Sequence, residues 1–478
     1  MRNFGRGAMA QHFNCDQPIE KRDAAEVLAP RSVDWANSFA HAAPRICCPL
    51  PGPASLELMR RRDRHEIGSL PWLDLLPIGF DRGAGVTIDD VDGNRLIDLT
   101  HGHMSAGLGH GNPEVADAIA AQAGKLANIR NYPHELRVRL MERLAKITPE
   151  DLNLFGFYSS GTEATEAALR VARTITGGHE FLSFYGDYHG KTVGAMATAD
   201  GGSRSTGPRS SGHMTVPGGW CHSCEFKLEP SSCGLHCVDF AERAMKANSH
   251  GGLAGVIIEP VTNASGARVY APGFLSGLRE MCNRHDIPLI FDEHATGLGR
   301  TGAMWAGDHE GIAPDMIIFS KMLGNGYPIT ALALREGYRA AVNQTSHSST
   351  HGGQPIGCAA ALAVLDIIER DGLVSHVRST GEVLLAEMKS IQARHPIIGV
   401  AQGMGFLLAW EFVNPATGVP STEVADKVAR MFLAKGVCTS PVGSTIRISP
   451  MIVTSQATAL RTLSICEEAI SEVEELNR

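Results

Sequence analysis

The chain of 478 residues is long enough for one large globular domain and at least one smaller one, and its composition is 43% hydrophobic and 20% charged. Its 43 basic and 51 acidic residues give a net charge of -8, without the basic stripe that a nucleic-acid backbone requires. These values exclude a disordered or fibrous protein and argue against nucleic acid as a partner.

The N-terminal sequence carries no targeting signal that we recognise. MRNFGRGAMAQHFNCDQPIEKRDAAEVLAP lacks the apolar core of a secretory signal. No segment of the chain approaches the roughly 20 consecutive apolar residues that span a bilayer. The 11 cysteines are scattered along the chain, which favours reduced thiols over a disulfide framework. We therefore predict a cytoplasmic protein with no membrane partner.

Regular patterns begin at about residue 51. Residues 1–50 show no sustained periodicity and lead into the Pro-rich sequence PLPGPAS, which predicts a poorly ordered N-terminal arm. The sequence GVTIDDVDGNRLIDL (85–99) contains two alternating runs joined by Asp92, Gly93 and Asn94, a strong hairpin signal. Two segments with helical spacing follow it, NPEVADAIAAQAGKLAN and HELRVRLMERLAKI.

The middle of the chain, about 105 to 350, alternates helical segments with five short apolar runs: FGFYSS, EFLSFYG, GVIIEP, PLIFDE and MIIFSK. Strands that alternate with helices predict a parallel sheet with right-handed crossovers. After about residue 355 come a long helical segment, QPIGCAAALAVLDIIERDG, and two strand-like runs, GVAQGMGFLLAWEFV and TIRISPM. This last part predicts a small α+β domain.

Polar residues follow the predicted strands, at the sheet edge where open α/β folds bind ligands. Gly161 and Thr162 open an amphipathic helix whose free N–H groups suit a phosphate, although a plain N-cap at Ser160 or Thr162 gives the same pattern. Tyr188 and His189 lie on a predicted loop, where the aromatic ring either stacks on a flat ligand or is an ordinary surface side chain.

Acids and a lysine end the next three strands. Glu259 follows GVII, while Asp292 and Glu293 follow PLIF, and acids at two neighbouring strand ends are hard to explain as caps. Lys321 follows MIIFS. Most such lysines are simply solvated, but a desolvated lysine loses its charge and becomes a nucleophile for carbonyls. Pyridoxal phosphate would use all these groups, since it has a phosphate, a flat ring, a basic ring nitrogen and an aldehyde.

At this point the sequence resembles the class III, fold-type I, pyridoxal-phosphate aminotransferases. The resemblance covers about residues 51–475 and is carried by the ordered motifs DVDGNRLIDL, LGHGNPEV, SSGTEATEAALRVAR, YHG, IIEP, FDEHATGLGR, FSKMLGNGYP and RISP. It places the chain near the 4-aminobutyrate and omega-amino acid transaminases, amino-acid racemases and glutamate-1-semialdehyde aminomutase.

The resemblance implies an α/β fold with a large domain, built on a mostly parallel seven-stranded sheet, and a smaller α+β domain built from both chain ends. After the arm at 1–50, residues 51–104 would form the N-terminal part of the small domain. Residues 105–355 would form the large cofactor-binding domain, and 356–478 the C-terminal small domain.

The resemblance also assigns three catalytic residues. Lys321 would form the Schiff base with the cofactor and then move the proton of the substrate. Asp292 would keep the ring nitrogen protonated. Glu259 would lie near the substrate amine.

Further residues would contact the cofactor or the substrate. The cofactor contacts implied are Ser160, Gly161, Thr162, Tyr188, His189, Asp292, His294, Lys321 and Thr350. Thr350 would reach the phosphate of the neighbouring subunit, so the active unit would be a homodimer with active sites at the subunit interface. Arg447 would face a substrate carboxylate, although in some relatives this arginine pairs with an acid or is structural. His103 would lie at the entrance and favour a polar substrate.

Two features depart from the family pattern. DEHATG stands where DEVQTG is usual, so His294 replaces a small apolar residue; its ring would stack on the cofactor, tune it, accept a proton or be neutral packing. The sequence WCHSCEFKLEPSSCGLHC contains Cys221, Cys224, Cys233 and Cys237, whose spacing suits either a zinc site or reduced structural cysteines. We predict reduced cysteines and no metal.

The predicted function is a pyridoxal-phosphate-dependent aminotransferase. It would move an amino group from an amino acid or amine-bearing metabolite to a keto acid or aldehyde, through Schiff-base and pyridoxamine phosphate intermediates. A racemase, epimerase or aminomutase on the same scaffold and a catalytically silent binding protein are the alternatives. No motif identifies the donor and acceptor.

Overall fold

A computed structural model describes residues 32–68, 71–200, 210–343 and 347–476. Within these ranges the α-helices are α1 Ser32–Ser38, α2 Pro53–Asp63, α3 Pro71–Leu75, α4 His101–Met104, α5 Pro113–Ala123, α6 Glu135–Ala145, α7 Gly161–Thr176, α8 Val193–Thr198, α9 His236–Asn248, α10 Phe274–His285, α11 Arg339–Val342, α12 Pro355–Arg370, α13 Leu373–Arg394, α14 Thr422–Ala434 and α15 Gln456–Leu476. The strands are β1 Phe80–Ala84, β2 Thr87–Asp90, β3 Arg95–Asp98, β4 Leu152–Tyr158, β5 Glu180–Phe184, β6 His213–Val216, β7 Leu253–Ile258, β8 Leu289–Asp292, β9 Met316–Phe319, β10 Thr330–Arg335, β11 Ile398–Met404, β12 Leu407–Phe412, β13 Val437–Cys438, β14 Ser440–Val442 and β15 Thr445–Arg447.

The central sheet has seven strands in the order β4-β10-β9-β8-β7-β5-β6. Strand β10 runs antiparallel to both of its neighbours, while the pairs from β9 through β8, β7 and β5 to β6 are parallel. The mostly parallel seven-stranded sheet is therefore confirmed. Its five predicted strands are present, and β6 and β10 are additional to them. The carboxyl ends of β5, β7, β8 and β9 lie at one edge of this sheet.

Helices cover both faces of the sheet, which explains why its strands are continuous apolar runs. Strands β5, β8 and β9 are buried at every position. Helix α7 packs one face of small side chains against the sheet, where Ala164, Ala167, Ala168, Val171 and Ala172 are fully buried. The predicted amphipathic helix after FGFYSS is confirmed, and its packing fixes the start of α7 beside the strand ends.

Two four-stranded sheets lie outside the large one. The first has the order β1-β2-β3-β13, so strands from near both ends of the described chain meet in it. The second, β11-β12-β15-β14, is antiparallel, and Arg447 is the last residue of its strand β15. Strands β2 and β3 form the predicted hairpin, in which Gly93 turns the chain with a φ of +91°.

The N-terminal region differs from the predicted poorly ordered arm. Residues 1–31 lie outside the described residues, but Ser32–Ser38 form helix α1. Ala36 and Ala40, four residues apart, are buried in the main hydrophobic core. The N–H of Val86 donates to the carbonyl of Ala36 over 3.2 Å. Small side chains on one face of α1 allow this close packing. The segment has no longer apolar pattern, so the sequence did not predict a packed helix there.

None of the helices in the described ranges combines the length and apolar character needed to cross a membrane.

Candidate active site

Asp292 is the last residue of β8 and is 2% exposed. Its Oδ2 lies 2.7 Å from Nδ1 of His189, and its Oδ1 accepts a hydrogen bond of 3.1 Å from the N–H of His294. Burial by itself would raise the pKa of Asp292, but the positive potential of His294 and the hydrogen bond from His189 outweigh it and lower the pKa to about 2. Asp292 is therefore an ionised carboxylate in a buried site.

Glu259 follows β7 on the neighbouring strand and is 4% exposed. Its Oε1 accepts 2.7 Å from the N–H of Tyr188, and its Oε2 accepts 3.0 Å from the N–H of Asn263. Burial, followed by the negative charge of Asp292, raises the pKa of Glu259 to about 7. The pKa values of the two strand-end acids are thus shifted in opposite directions, although their strands are neighbours.

Lys321 follows β9 and opens the 3₁₀ turn Lys321–Gly324. Its φ of +43° is a left-handed conformation that a residue with a side chain rarely adopts. Such backbone strain is concentrated at functional sites. Burial lowers the pKa of Lys321, while the charges of Glu259 and Asp292 oppose that shift. The structure thus places a buried amine with a lowered pKa at the same sheet edge as the ionised Asp292.

The start of helix α7 lies at the same edge. Ser160 is its N-cap and forms a capping box with Glu163, so the Ser160 hydroxyl is used by its own helix. The Thr162 hydroxyl contacts the hydroxyl of Thr192 over 2.7 Å. Within the described residues, the backbone N–H groups of Gly161 and Thr162 have no hydrogen-bond acceptor. These two groups suit an anion.

His294 occupies the space between α7 and the strand ends. Its Nδ1 lies 2.8 Å from the Ser320 hydroxyl, and its buried Nε2 has no hydrogen-bond partner in the described part of the chain. A Cβ at Gly161 would come within 2.9 Å of this nitrogen, so a larger residue at position 161 would require the His294 ring to shift. His294 therefore faces the helix start and does not turn away from the site.

Tyr188 and His189 differ in exposure. The Tyr188 side chain is 38% exposed, whereas His189 is 1% exposed. The carbonyl of His189 accepts a hydrogen bond of 3.0 Å from the Thr165 hydroxyl on α7, so this helix fixes the loop. The neighbouring Asp187 is fully buried and is a site residue that the sequence prediction missed. The sequence signal that could have identified Asp187 is its position in GDYHG, two residues before His189.

Arg447 and His103 lie on one cavity of about 350 Å³, which is also lined by Leu75, Asp426 and Ser440. His103 belongs to α4, in which the four residues His101–Met104 all have positive φ, from +30° to +70°. This left-handed turn costs about 1 kcal/mol or more for each residue with a side chain. Burial and the charges of Arg447 and Lys321 lower the pKa of His103 to about 4, so its imidazole is neutral.

Arg447 is 7% exposed, and its guanidinium donates to Oδ1 of Asn263 over 3.2 Å. Burial lowers its pKa to about 10, which leaves the side chain charged at neutral pH. Within the described residues no carboxylate forms an ion pair with Arg447. The internal pairing with an acid that occurs in some relatives is therefore absent from this part of the chain.

Two residues from the sequence prediction lie outside this group of contacts. Thr350 is exposed, and its carbonyl accepts a hydrogen bond of 3.0 Å from the Asn128 side chain. Glu293 is buried, but its carboxylate accepts hydrogen bonds from Thr296, Ala306 and Gly307. Glu293 thus stabilises the turn that follows the site.

Cys221, Cys224, Cys233 and Cys237 line a separate cavity of about 570 Å³, together with Trp220, Phe226 and Tyr270. All four are free thiols. Among the described residues, no group of three or more His, Cys, Asp or Glu side chains has an arrangement that could hold a metal ion. Burial raises the pKa of Cys237 to about 11, so this sulfur remains a thiol.

The arrangement fits pyridoxal phosphate on three observations. The free N–H groups at the start of α7 suit its phosphate, the ionised and buried Asp292 suits a protonated ring nitrogen, and the amine of Lys321 suits its aldehyde. The buried Nε2 of His294, which lies 3.9 Å from Oδ1 of Asp292 and makes no hydrogen bond by distance and angle within the described residues, faces the same space.

Comparison with known proteins gives the same result. Residues 71–470 match the family model described as aminotransferase class-III. A 4-aminobutyrate aminotransferase of Mycobacterium leprae is 32% identical over 439 residues, covering 88% of this chain and 97% of its own. A 5-aminovalerate aminotransferase of Pseudomonas aeruginosa is 33% identical over 411 residues, covering 83% of this chain and 94% of its own.

A solved structure shares the fold. An amine transaminase from an uncultivated Pseudomonas species, in a form with bound pyridoxal phosphate, superposes with a TM-score of 0.81 at 29% identity. The match covers 85% of this chain and 97% of the other.

Proposed function

Because the chain belongs to the class III aminotransferases and is a pyridoxal-phosphate-dependent enzyme, we propose that its donor is a linear amino acid whose amine is remote from its carboxylate. The acceptor is a keto acid or aldehyde. The observation that carries the proposal is the buried, charged Arg447, which has no acidic partner among the described residues and faces a cavity beside the strand-end site.

Arg447 is attracted by Glu259 but has no ion-pair partner in contact within the described residues, and a buried charge without one is costly, so Arg447 favours a ligand that brings a carboxylate. The planar guanidinium binds a carboxylate through two parallel hydrogen bonds. His103 on the same cavity is neutral and adds a hydrogen-bonding group without a competing charge. A cavity of about 350 Å³ suits a small substrate.

The names of the relatives support the same class of substrate. 4-Aminobutyrate and 5-aminovalerate each have an amine at one end of a short chain and a carboxylate at the other, and the enzymes named for them are 32% and 33% identical to this chain. The comparisons give no support to the racemase, aminomutase or catalytically silent alternatives.

We further propose the role of each residue around the cofactor. Gly161 and Thr162 bind the phosphate through their free N–H groups, and the Ser160 cap holds that helix start in place. Tyr188 and His294 would contact the cofactor ring. When bound, pyridoxal phosphate supplies an aldehyde for the substrate amine and a ring that accepts electrons.

Four residues have roles in moving, holding or directing protons. Lys321 takes and returns the substrate proton through its Nζ, because burial lowers its pKa. Asp292, with a pKa of about 2, remains ionised and holds the proton on the ring nitrogen. His189 donates to Asp292 and orients its carboxylate. Glu259, whose pKa burial raises to about 7, would act on the side of the substrate amine.

The proposal includes a homodimer. Thr350 is exposed and makes no hydrogen bond to the strand-end group within the described residues, which is compatible with a role at the site of a second subunit. A cytoplasmic location stays a prediction from the cysteine content and the N-terminal sequence.

The test is a donor panel without an acceptor. The yellow absorbance of the purified, cofactor-loaded protein is followed after adding 4-aminobutyrate, 5-aminovalerate, or an alkylamine of the same length without the carboxylate. We expect the amino acids to remove the yellow colour and the alkylamines to do so far more slowly. Equal rates for both groups would contradict the proposal. The oligomeric state is measured in parallel by light scattering.

A further inference from the structure

Asn263 is hydrogen-bonded to two charged residues of the site through two different groups. Its backbone N–H donates to Oε2 of Glu259 over 3.0 Å, and its side-chain Oδ1 accepts a hydrogen bond of 3.2 Å from the guanidinium of Arg447. A guanidinium has only donors, so the oxygen of the Asn263 amide must be the atom that faces it. One residue thus contacts both a buried acid and a buried base that attract each other.

The carboxyl group of Glu259 is occupied without Arg447. Its Oε1 accepts a hydrogen bond of 2.7 Å from the N–H of Tyr188, while its Oε2 accepts the one from Asn263. In the part of the chain that the structure describes, the Arg447 side chain donates a hydrogen bond to Asn263 alone. Opposite charges in a buried site gain most from direct contact, so the separation of Arg447 from Glu259 needs a structural cause.

The loop that carries Asn263 is closed by its own hydrogen bonds. The two ends of the loop 261–269 form an antiparallel bridge. Next to that bridge, the N–H of Thr262 donates to the carbonyl of Arg268 over 3.1 Å. Inside the loop, the N–H of Gly266 donates to the carbonyl of Asn263 over 3.3 Å. The backbone of Asn263 therefore has a fixed position, from which its amide side chain is presented to the site.

We propose that Asn263 is a positioning residue that holds Arg447 apart from Glu259 and so leaves the guanidinium to a substrate carboxylate. The amide oxygen accepts a hydrogen bond from Arg447 but carries no charge, so it orients the side chain without neutralising it. The other N–H groups of the guanidinium remain for a ligand. The separation of the two charged groups is independent of the substrate, whereas the use of Arg447 by a carboxylate rests on the proposed function.

The first test measures the separation without a substrate. The full chain, free of cofactor, is labelled with ¹³C at the glutamate carboxyl groups, and the Glu259 signal is identified by its loss in Glu259→Gln. Asn263→Ala removes the amide but keeps the backbone N–H on Glu259, so Arg447 can turn to that acid and lower its pKa. The variant leaves in place the other charged groups that act on Glu259, which are Asp187, His189, Asp292 and Lys321. We expect the proton affinity of Glu259 to fall at least about tenfold, and Asn263→Ala to have no such effect in an Arg447→Gln background.

The second test measures the carboxylate site in the cofactor-loaded protein. Valerate has the carboxylate of a linear amino acid donor but no amine, so it binds without reacting. Its dissociation constant, measured by calorimetry, should rise at least about tenfold in Arg447→Gln and in Asn263→Ala, as expected for loss of a hydrogen bond to a charged group. Asn263→Asp keeps the side-chain shape but gives Arg447 an internal carboxylate, so it should weaken valerate binding most. Adding Glu259→Gln to Asn263→Ala should restore valerate binding, because the neutral amide no longer attracts the arginine. Asn248→Ala, which changes an exposed amide, is the matched control and should have no effect.

The outcomes separate this inference from the proposed function. An unchanged pKa of Glu259 in Asn263→Ala would overturn the inference, and so would a fall of the same size in the Arg447→Gln background. Asn263→Asp decides the case if the alanine variant does not fold: when Arg447→Gln weakens valerate binding but Asn263→Asp does not, the inference is overturned. If valerate binding does not depend on Arg447, the proposed substrate contact fails, while a lowered pKa of Glu259 in Asn263→Ala still supports the separation of the two charged groups.

Discussion

Replacing Arg447 with glutamine should lower kcat/KM for a linear amino acid donor by about 150-fold and leave an alkylamine donor nearly unchanged. The guanidinium is 7% exposed and donates to Asn263, so its remaining N–H groups are available to a substrate carboxylate. Glutamine is shorter and uncharged, and it leaves the carboxylate buried without a positive partner.

The magnitude follows from that burial. Removing one partner of a buried, hydrogen-bonded charge pair costs about 2–5 kcal/mol. A value of about 3 kcal/mol corresponds to about 150-fold, since each tenfold change is about 1.36 kcal/mol. The alkylamine has no carboxylate and cannot lose this interaction. The ratio of the kcat/KM values for the two donors therefore isolates the contact between Arg447 and the carboxylate.

The assay is the initial rate of the donor half-reaction with 5-aminovalerate and with pentylamine. Arg447→Lys keeps the charge without the planar fork and should fall between the wild type and Arg447→Gln. Arg60→Gln, which changes a surface arginine with a 67% exposed side chain, is the matched control and should have no effect. Equal losses for both donors would show that Arg447 acts through the fold or the cofactor, and the reasoning would be refuted.

Four further results are expected. Lys321→Ala should prevent covalent attachment of the cofactor, so borohydride treatment should add the cofactor mass to the wild type alone; labelling of the variant would disprove the assignment. Asp292→Asn should slow turnover by about 100-fold while cofactor still binds, because it removes a carboxylate whose pKa is about 2; a normal rate would mean that the ring nitrogen has another partner. The pKa of Glu259 is raised from 4.5 to about 7, so in the cofactor-free protein its contribution to stability is present below pH 4.5 and lost as the pH rises to about 7. Between pH 4.5 and about 7 the Tm of Glu259→Gln should therefore fall less than the Tm of the wild type. Parallel plots of Tm against pH for the two proteins would contradict the raised pKa. A chelator should leave activity unchanged, and rapid inactivation would reveal a metal at Cys221 or elsewhere.

The sequence predicted those parts of the site that follow long apolar strands. Glu259, Asp292 and Lys321 each end such a run, and burial of both sheet faces brings the runs side by side. Strands β6 and β10 were missed because HMTV and TALALR contain polar or small residues. These segments become strands by pairing with β5, β4 and β9, a tertiary effect that local pattern does not encode.

Backbone conformation was the other unpredicted part. The left-handed turn at His101–Met104 contains one glycine and three residues that disfavour positive φ, so nothing in the sequence indicates it. The surrounding structure must impose it, for example through the contact between Nε2 of His101 and the carbonyl of Ser449 at 3.0 Å. This contact joins the turn to the segment that follows Arg447. The turn that presents His103 and the strand that carries Arg447 are thus held together.

The strand-end acids show how one sheet edge shifts the pKa values of two buried carboxyl groups in opposite directions. Asp292 and Glu259 are both buried, so desolvation raises the pKa of each. Asp292 faces His189 and His294, whose hydrogen bonds and positive potential favour its ionised form. Glu259 faces Asp292, whose negative charge favours its protonated form.

Opposite pKa shifts on neighbouring acids separate the tasks of holding a charge and exchanging a proton.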